Sequence, residues 1–203
     1  MRHRAAKPFV FLCCLAPLIW LAAIGPDGWG ANPVETFNRF LGDWALRFLL
    51  LTLSVSPLAQ LSRGAALLRF RRMIGLFAFF YACLHLSSYV VFDQFFDVAA
   101  IWQDIVKRNF ITVGMVSFVA LILLAATSTN KAIRRMGARN WQKLHRLVYA
   151  IGIGAVAHNI MMVKANYDEA LIHAAILAIL LGWRIATRRS RSTKNAAKPE
   201  IAA

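Results

Sequence analysis

Residues 141–162 read WQKLHRLVYAIGIGAVAHNIMM, an apolar stretch of helix-spanning length that carries two histidines, His145 and His158. A third, His85, lies deep in an earlier apolar segment. Ionisable side chains are costly inside a bilayer and mark functional positions there. Three histidines in such surroundings point to a metal or a haem.

Composition fits that reading. Hydrophobic residues make up 59% of the 203 and charged residues 16%, where a soluble domain carries about 25% charged. The chain reads as an integral membrane protein. Its net charge of +15 does not mark a nucleic-acid binder, because the 24 Lys and Arg fall in short clusters between apolar segments. Cys13, Cys14 and Cys83 all lie in apolar stretches with neither CxxC nor CxxCH, so a haem would have to be held non-covalently. No GxGxxG or P-loop spacing occurs, and the loops are too short for a nucleotide-binding domain.

Outward from 141–162, the apolar pattern predicts an all-α bundle of six transmembrane helices, at about 9–25, 40–58, 73–92, 110–126, 143–163 and 170–186. The second ends at Ser56-Pro57, and an acidic, aromatic loop follows the third. The transmembrane domain covers 1–188, and 189–203 is expected to be a disordered basic tail. Nineteen of the 24 basic residues fall on one side; the other five are Arg39, Arg47, Lys107, Arg108 and Lys164. The positive-inside rule then puts both termini in the cytoplasm.

The rise of a helix sets the depth of each histidine. His85 lies thirteen residues beyond Arg72, about 18–20 Å in, and His158 fifteen beyond Lys143, about 22 Å. Both are at similar depth in the outer half of the bilayer, on helices of the same direction, and an imidazole from each of two facing helices is what bis-histidine ligation of one haem needs. His145 is thirteen positions before His158, about 20 Å along the axis, a spacing for a second, stacked haem. In a straight helix the two side chains stand well off a common face, and helix three offers Arg71 and Arg72, not histidine, opposite His145. His173 reads as an interfacial or interhelical group, and His3 as a solvated one. Gly152 and Gly154 read either as close helix packing or as room for a flat porphyrin. A cofactor-free bundle with histidines as interhelical hydrogen-bonders is the plainer alternative.

His85 in FFYACLHLSSYVVFDQ, the junction RNWQKLHRLVYAIG and the run AHNIMMVKA resemble the MsrQ family, formerly YedZ, within the ferric-reductase-like transmembrane group. These are the haem-binding membrane subunits of bacterial methionine sulfoxide reductase systems. The resemblance implies haem b, one or two per chain, on His85, His158 and His145, with FMN as a further family cofactor. It implies electrons taken from the quinone pool or a cytoplasmic flavin reductase and passed across the inner membrane. The acceptor is a periplasmic molybdopterin subunit, MsrP, which repairs oxidised proteins and forms a heterodimer with the membrane subunit. The chain would then be an electron-transfer subunit and not the catalytic one. Arg71, Arg72, Arg135 and Arg139 are placed to meet haem propionates, a flavin phosphate or an acidic donor, or serve topology alone. Rival readings are a self-contained ferric or oxygen reductase and a cofactor-free interaction or transport protein.

Overall fold

The computed structural model describes residues 6–163 and 166–196, and among them the secondary structure is helical throughout. In chain order these are α1 Ala6–Ile24, α2 Pro33–Leu61, α3 Arg71–Ser88, α4 Val98–Lys107, α5 Asn109–Ala126, α6 Asn130–Met136, α7 Ala138–Leu144, α8 Leu147–Met162 and α9 Asp168–Ala196. Short 3-10 helices, Pro26–Gly28 and Ala65–Phe70, stand between α1 and α2 and between α2 and α3. His3 and Lys164 lie outside the described residues.

Among the described residues, five segments are long and apolar enough to cross a membrane: α1, α2, Ala65–Asp93, α5 and Asp168–Thr187. The remaining apolar helix, α8, has 16 residues, about 24 Å of rise. The expected single helix over 143–163 is therefore two, α7 and α8, joined at His145-Arg146. Both junction residues keep near-helical backbone angles, but the bonds tighten: Arg146 N–H donates to Lys143 O at 3.2 Å and Tyr149 N–H to Arg146 O at 3.1 Å.

Three further expectations are corrected. Pro57 does not end the second helix; α2 passes through it to Leu61, and the cost is one main-chain bond to the Leu53 carbonyl. The loop after the third span contains α4, whose first turn is capped by Asp97 Oδ1, accepting from Ala99 N–H and Ala100 N–H at 2.9 and 3.0 Å. The backbone of 189–196, expected as disordered tail, continues α9. No Pro or Gly falls between Gly182 and Pro199 to stop that helix, and Arg, Lys and Ala favour it. Residues 197–203 lie outside the described residues.

The core runs along α2, which begins at an Asn32 cap and Pro33 and buries Leu41, Leu46, Phe48, Leu49, Leu50 and Leu53. α2 packs chiefly on α3, and also on α8 and α9. Tyr81, fully buried, donates its hydroxyl to Cys14 O at 2.9 Å and so fastens α1 to α3. Large apolar residues of α1, α5 and α9 are exposed on the outside of the bundle, as lipid-facing surfaces are. Close approach is set by small residues: a Cβ on Gly152 would stand 3.3 Å from Leu177 and 3.5 Å from Leu53, and one on Gly154 would meet Ser117. Those two glycines seat neighbouring helices.

Candidate functional site

The imidazoles of His85 and His158 face each other from α3 and α8, ring centroids 6.3 Å apart and planes at 72°. Each is held by a main-chain carbonyl of a further helix. His85 Nδ1 lies 2.9 Å from Asn38 O on α2, and His158 Nδ1 lies 2.7 Å from Phe110 O on α5. A carbonyl only accepts, so Nδ1–H is the donor in both rings and Nε2 is the nitrogen left with a free lone pair. This is the tautomer and the outer-shell anchoring of a metal-ligating histidine. A metal ion about 2 Å from each of two imidazole nitrogens sets the ring centres about 6 Å apart, so the pair fits a bis-histidine iron.

The surrounding sequence explains why the rings stand there. Asn38 holds both ends of His85: its carbonyl takes the ring hydrogen, and its Nδ2 donates to His85 O at 3.3 Å and to Ser88 Oγ at 2.6 Å. Ser88 Oγ in turn donates to His85 O at 2.8 Å. Directly after Ser88 the chain widens into a π turn, Tyr89–Asp93, a form that recurs at functional sites. Tyr89 and Gln94 both donate to Asp104 Oδ2, at 2.8 and 3.0 Å, which fixes α4 beneath that turn. On α8, Asn159 Nδ2 reaches Asp43 Oδ1 of α2 at 3.3 Å. Asn38, Asp43, Asn159 and the Phe110 carbonyl do not stand out in the sequence, where each reads as an ordinary helix residue.

His145 is placed apart from this pair, at the α7–α8 junction. Its ring stacks on Trp141 at 4.0 Å between centroids and 27° between planes. Both side chains grip Thr127 at the end of α5: Trp141 Nε1–H donates to Thr127 O at 2.9 Å, and His145 Nε2 lies 3.1 Å from Thr127 Oγ1. That hydroxyl spends its hydrogen on Leu123 O at 2.7 Å, so it accepts from His145 Nε2–H. The aromatic face against His145 is thus an indole, and its charged neighbour is Arg71.

Arg71, half-buried, donates to Ser56 Oγ at 3.3 Å, and the exposed Arg72 donates to Asn130 Oδ1 at 2.6 Å. Both join helix ends on the side where His145 lies. His173 is 4% exposed, within the field of the Arg47–Glu169 ion pair, and its Nδ1 has no hydrogen-bond partner among the described residues.

Comparison with known proteins bears on the whole chain. Residues 41–156 match the family described as ferric reductase like transmembrane component. The protein-methionine-sulfoxide reductase heme-binding subunit MsrQ of Polaromonas naphthalenivorans is 52% identical over 202 residues, covering 96% of this chain and 92% of that one. The subunit of the same name from Rhodospirillum rubrum is 52% identical over 195 residues, covering 94% and 93%. That of Caulobacter vibrioides is 48% identical over 187 residues, covering 92% and 89%. Identity at this level, sustained end to end over chains of matching length, places the chain in the ferric-reductase-like transmembrane family and, within it, among the MsrQ heme-binding subunits.

Proposed function

We propose that this protein is a haem b electron-transfer subunit of the bacterial inner membrane, in which His85 and His158 would hold the haem iron. The observation that carries the reading is the pair itself: two facing imidazoles, each with Nδ1–H committed to a carbonyl and Nε2 free. Haem b supplies reversible one-electron chemistry at its iron once bound. The protein's own residues do the rest. His85 and His158 ligate; Asn38 and the Phe110 carbonyl fix the rings; the surrounding apolar helices exclude water.

The bundle crosses the membrane six times in this reading, with α7–α8 as the fifth passage and both termini cytoplasmic, an orientation that the basic loops support. Electrons enter from the quinone pool or a cytoplasmic flavin reductase and leave on the periplasmic side to the catalytic subunit MsrP. The histidine pair lies toward that outer side. Arg71, Arg72, Arg135 and Arg139 form the cytoplasmic basic face, the place for propionate groups or for the FMN phosphate that family membership suggests. Thr127 accepts from Nε2–H of His145, so an iron at His145 would meet Nδ1 or would have to displace Thr127 from Nε2.

A reduced-minus-oxidised spectrum of the purified full-length protein, followed by addition of purified MsrP with methionine sulfoxide, tests this. A b-type signal that MsrP reoxidises is the expected result. No b-type signal removes the haem reading, and a signal that MsrP leaves reduced removes the partner.

A further inference from the structure

Each histidine of the pair lies over a glycine, and the two glycines occupy the same place relative to the carbonyl that holds the ring. A Cβ built on Gly42 would stand 3.0 Å from His85 Cε1 and 3.1 Å from its Nδ1. One built on Gly114 would stand 2.9 Å from His158 Nδ1 and 3.0 Å from its Cε1. Gly42 is four residues after Asn38, and Gly114 four after Phe110, the residues whose carbonyls accept the two Nδ1–H groups.

That spacing has a physical reason. In an α-helix the carbonyl of residue i takes the N–H of residue i+4 and keeps a second lone pair. The side chain of residue i+4 flanks that lone pair, as this chain shows elsewhere. Thr52 Oγ1 donates to Phe48 O and Ser117 Oγ to Val113 O, each at 2.8 Å and each from i+4. A side chain at i+4 therefore occupies the approach that an imidazole from another helix must use. With glycine there the flank is open.

We propose that Gly42 and Gly114 are positioning residues for the axial ligands: each opens the carbonyl four residues before it to the Nδ1–H of His85 or His158, and so sets ring orientation and tautomer. This rests on the haem reading above. The same carbonyl–glycine step appears on two different helices, α2 and α5, for two histidines on α3 and α8, so each half of the site is built alike. A methyl group at 42 or 114 pushes the ring off its carbonyl, weakens the Nδ1–H bond and turns the imidazole plane. Ligand basicity falls with that bond.

The test uses the full-length, haem-loaded protein with Gly42→Ala and Gly114→Ala beside Gly182→Ala, where an added Cβ meets nothing within 4 Å. The readouts are the low-temperature EPR spectrum and the midpoint potential of the haem. Shifted g values and a raised potential, or loss of the low-spin signal, are expected in both seat variants, with Gly182→Ala matching the parent. Parent-like spectra and potentials in Gly42→Ala and Gly114→Ala overturn the proposal. Should those variants fail to accumulate, proton ENDOR of the parent protein decides: weakly coupled, exchangeable protons from the Nδ1–H of both ligand imidazoles are expected, and their absence overturns it. A parent protein that holds no haem refutes the haem reading itself, an outcome distinct from either, and the proposal falls with it.

Discussion

Asn159 donates its Nδ2–H to Asp43 Oδ1 at 3.3 Å, and each of these two residues is the chain neighbour of part of the histidine site: Asn159 follows His158, and Asp43 follows Gly42. This bond therefore sets the distance between the helix that carries one imidazole and the helix that seats the other. Replacing Asn159 by Leu leaves the carboxyl without that donor and should cost about 0.5–2 kcal/mol of stability. Thermal unfolding in detergent, followed by circular dichroism and by haem absorbance, measures it. Haem loss should precede helix loss in the variant; coincident transitions at the parent temperature would count against the tie.

Thr127 is held twice, by Trp141 and by His145. Trp141→Phe removes the indole donor and keeps most of the stacking surface, and Thr127→Val removes the hydroxyl. Each should destabilise the protein by about 0.5–1.5 kcal/mol. In the Trp141→Phe/Thr127→Val double variant the losses should fall short of their sum, since both changes loosen the same junction. Strict additivity in a double-mutant cycle on unfolding temperature would show that the two contacts act independently.

Helix α4 carries an apolar stripe one turn apart, Val98, Trp102 and Val106, at 76%, 66% and 63% exposure, next to the exposed Phe95 and Phe96. Its polar side is engaged, through Asp104, with Tyr89, Gln94 and Arg108. A short amphipathic helix tied at both ends to spanning helices should lie in the lipid interface on its apolar face. Spin labels at position 102 should be relaxed by oxygen, and labels at position 103 by a water-soluble nickel chelate. The reverse pattern would put the stripe in water or against a protein partner.

How much of this was legible beforehand differs from residue to residue. Counting 1.5 Å per residue from the basic flanks puts His85 and His158 at matched depth because both lie on helices of one direction, and the structure brings their rings together. The offset of His145 is different in kind. Straight-helix angles assume an unbroken helix over 143–163, and the chain turns at His145-Arg146 with backbone angles so near helical that no Pro or Gly marks the spot. Pro57 misleads in the opposite sense, since α2 is locked by burial on both sides of it and tolerates the lost bond. Residues 93–107 read as a loop because their acids break the hydropathy, although Asp97 is a helix cap and Asp104 an anchor. Gly42 and Gly114 look like ordinary packing glycines until the partner histidine is known. The pattern to seek is a glycine four residues after a helix residue level with a buried histidine.

Haem iron per chain, measured together with the reduced-minus-oxidised spectrum for the parent, His85→Ala, His158→Ala and His145→Ala proteins, decides whether His85 and His158 share one iron. His85→Ala and His158→Ala should each lose the same low-spin b-type component, while His145→Ala retains it. An unchanged spectrum in both of the first two variants, or loss of that component in His145→Ala alone, would contradict the assignment of His85 and His158 as a ligand pair.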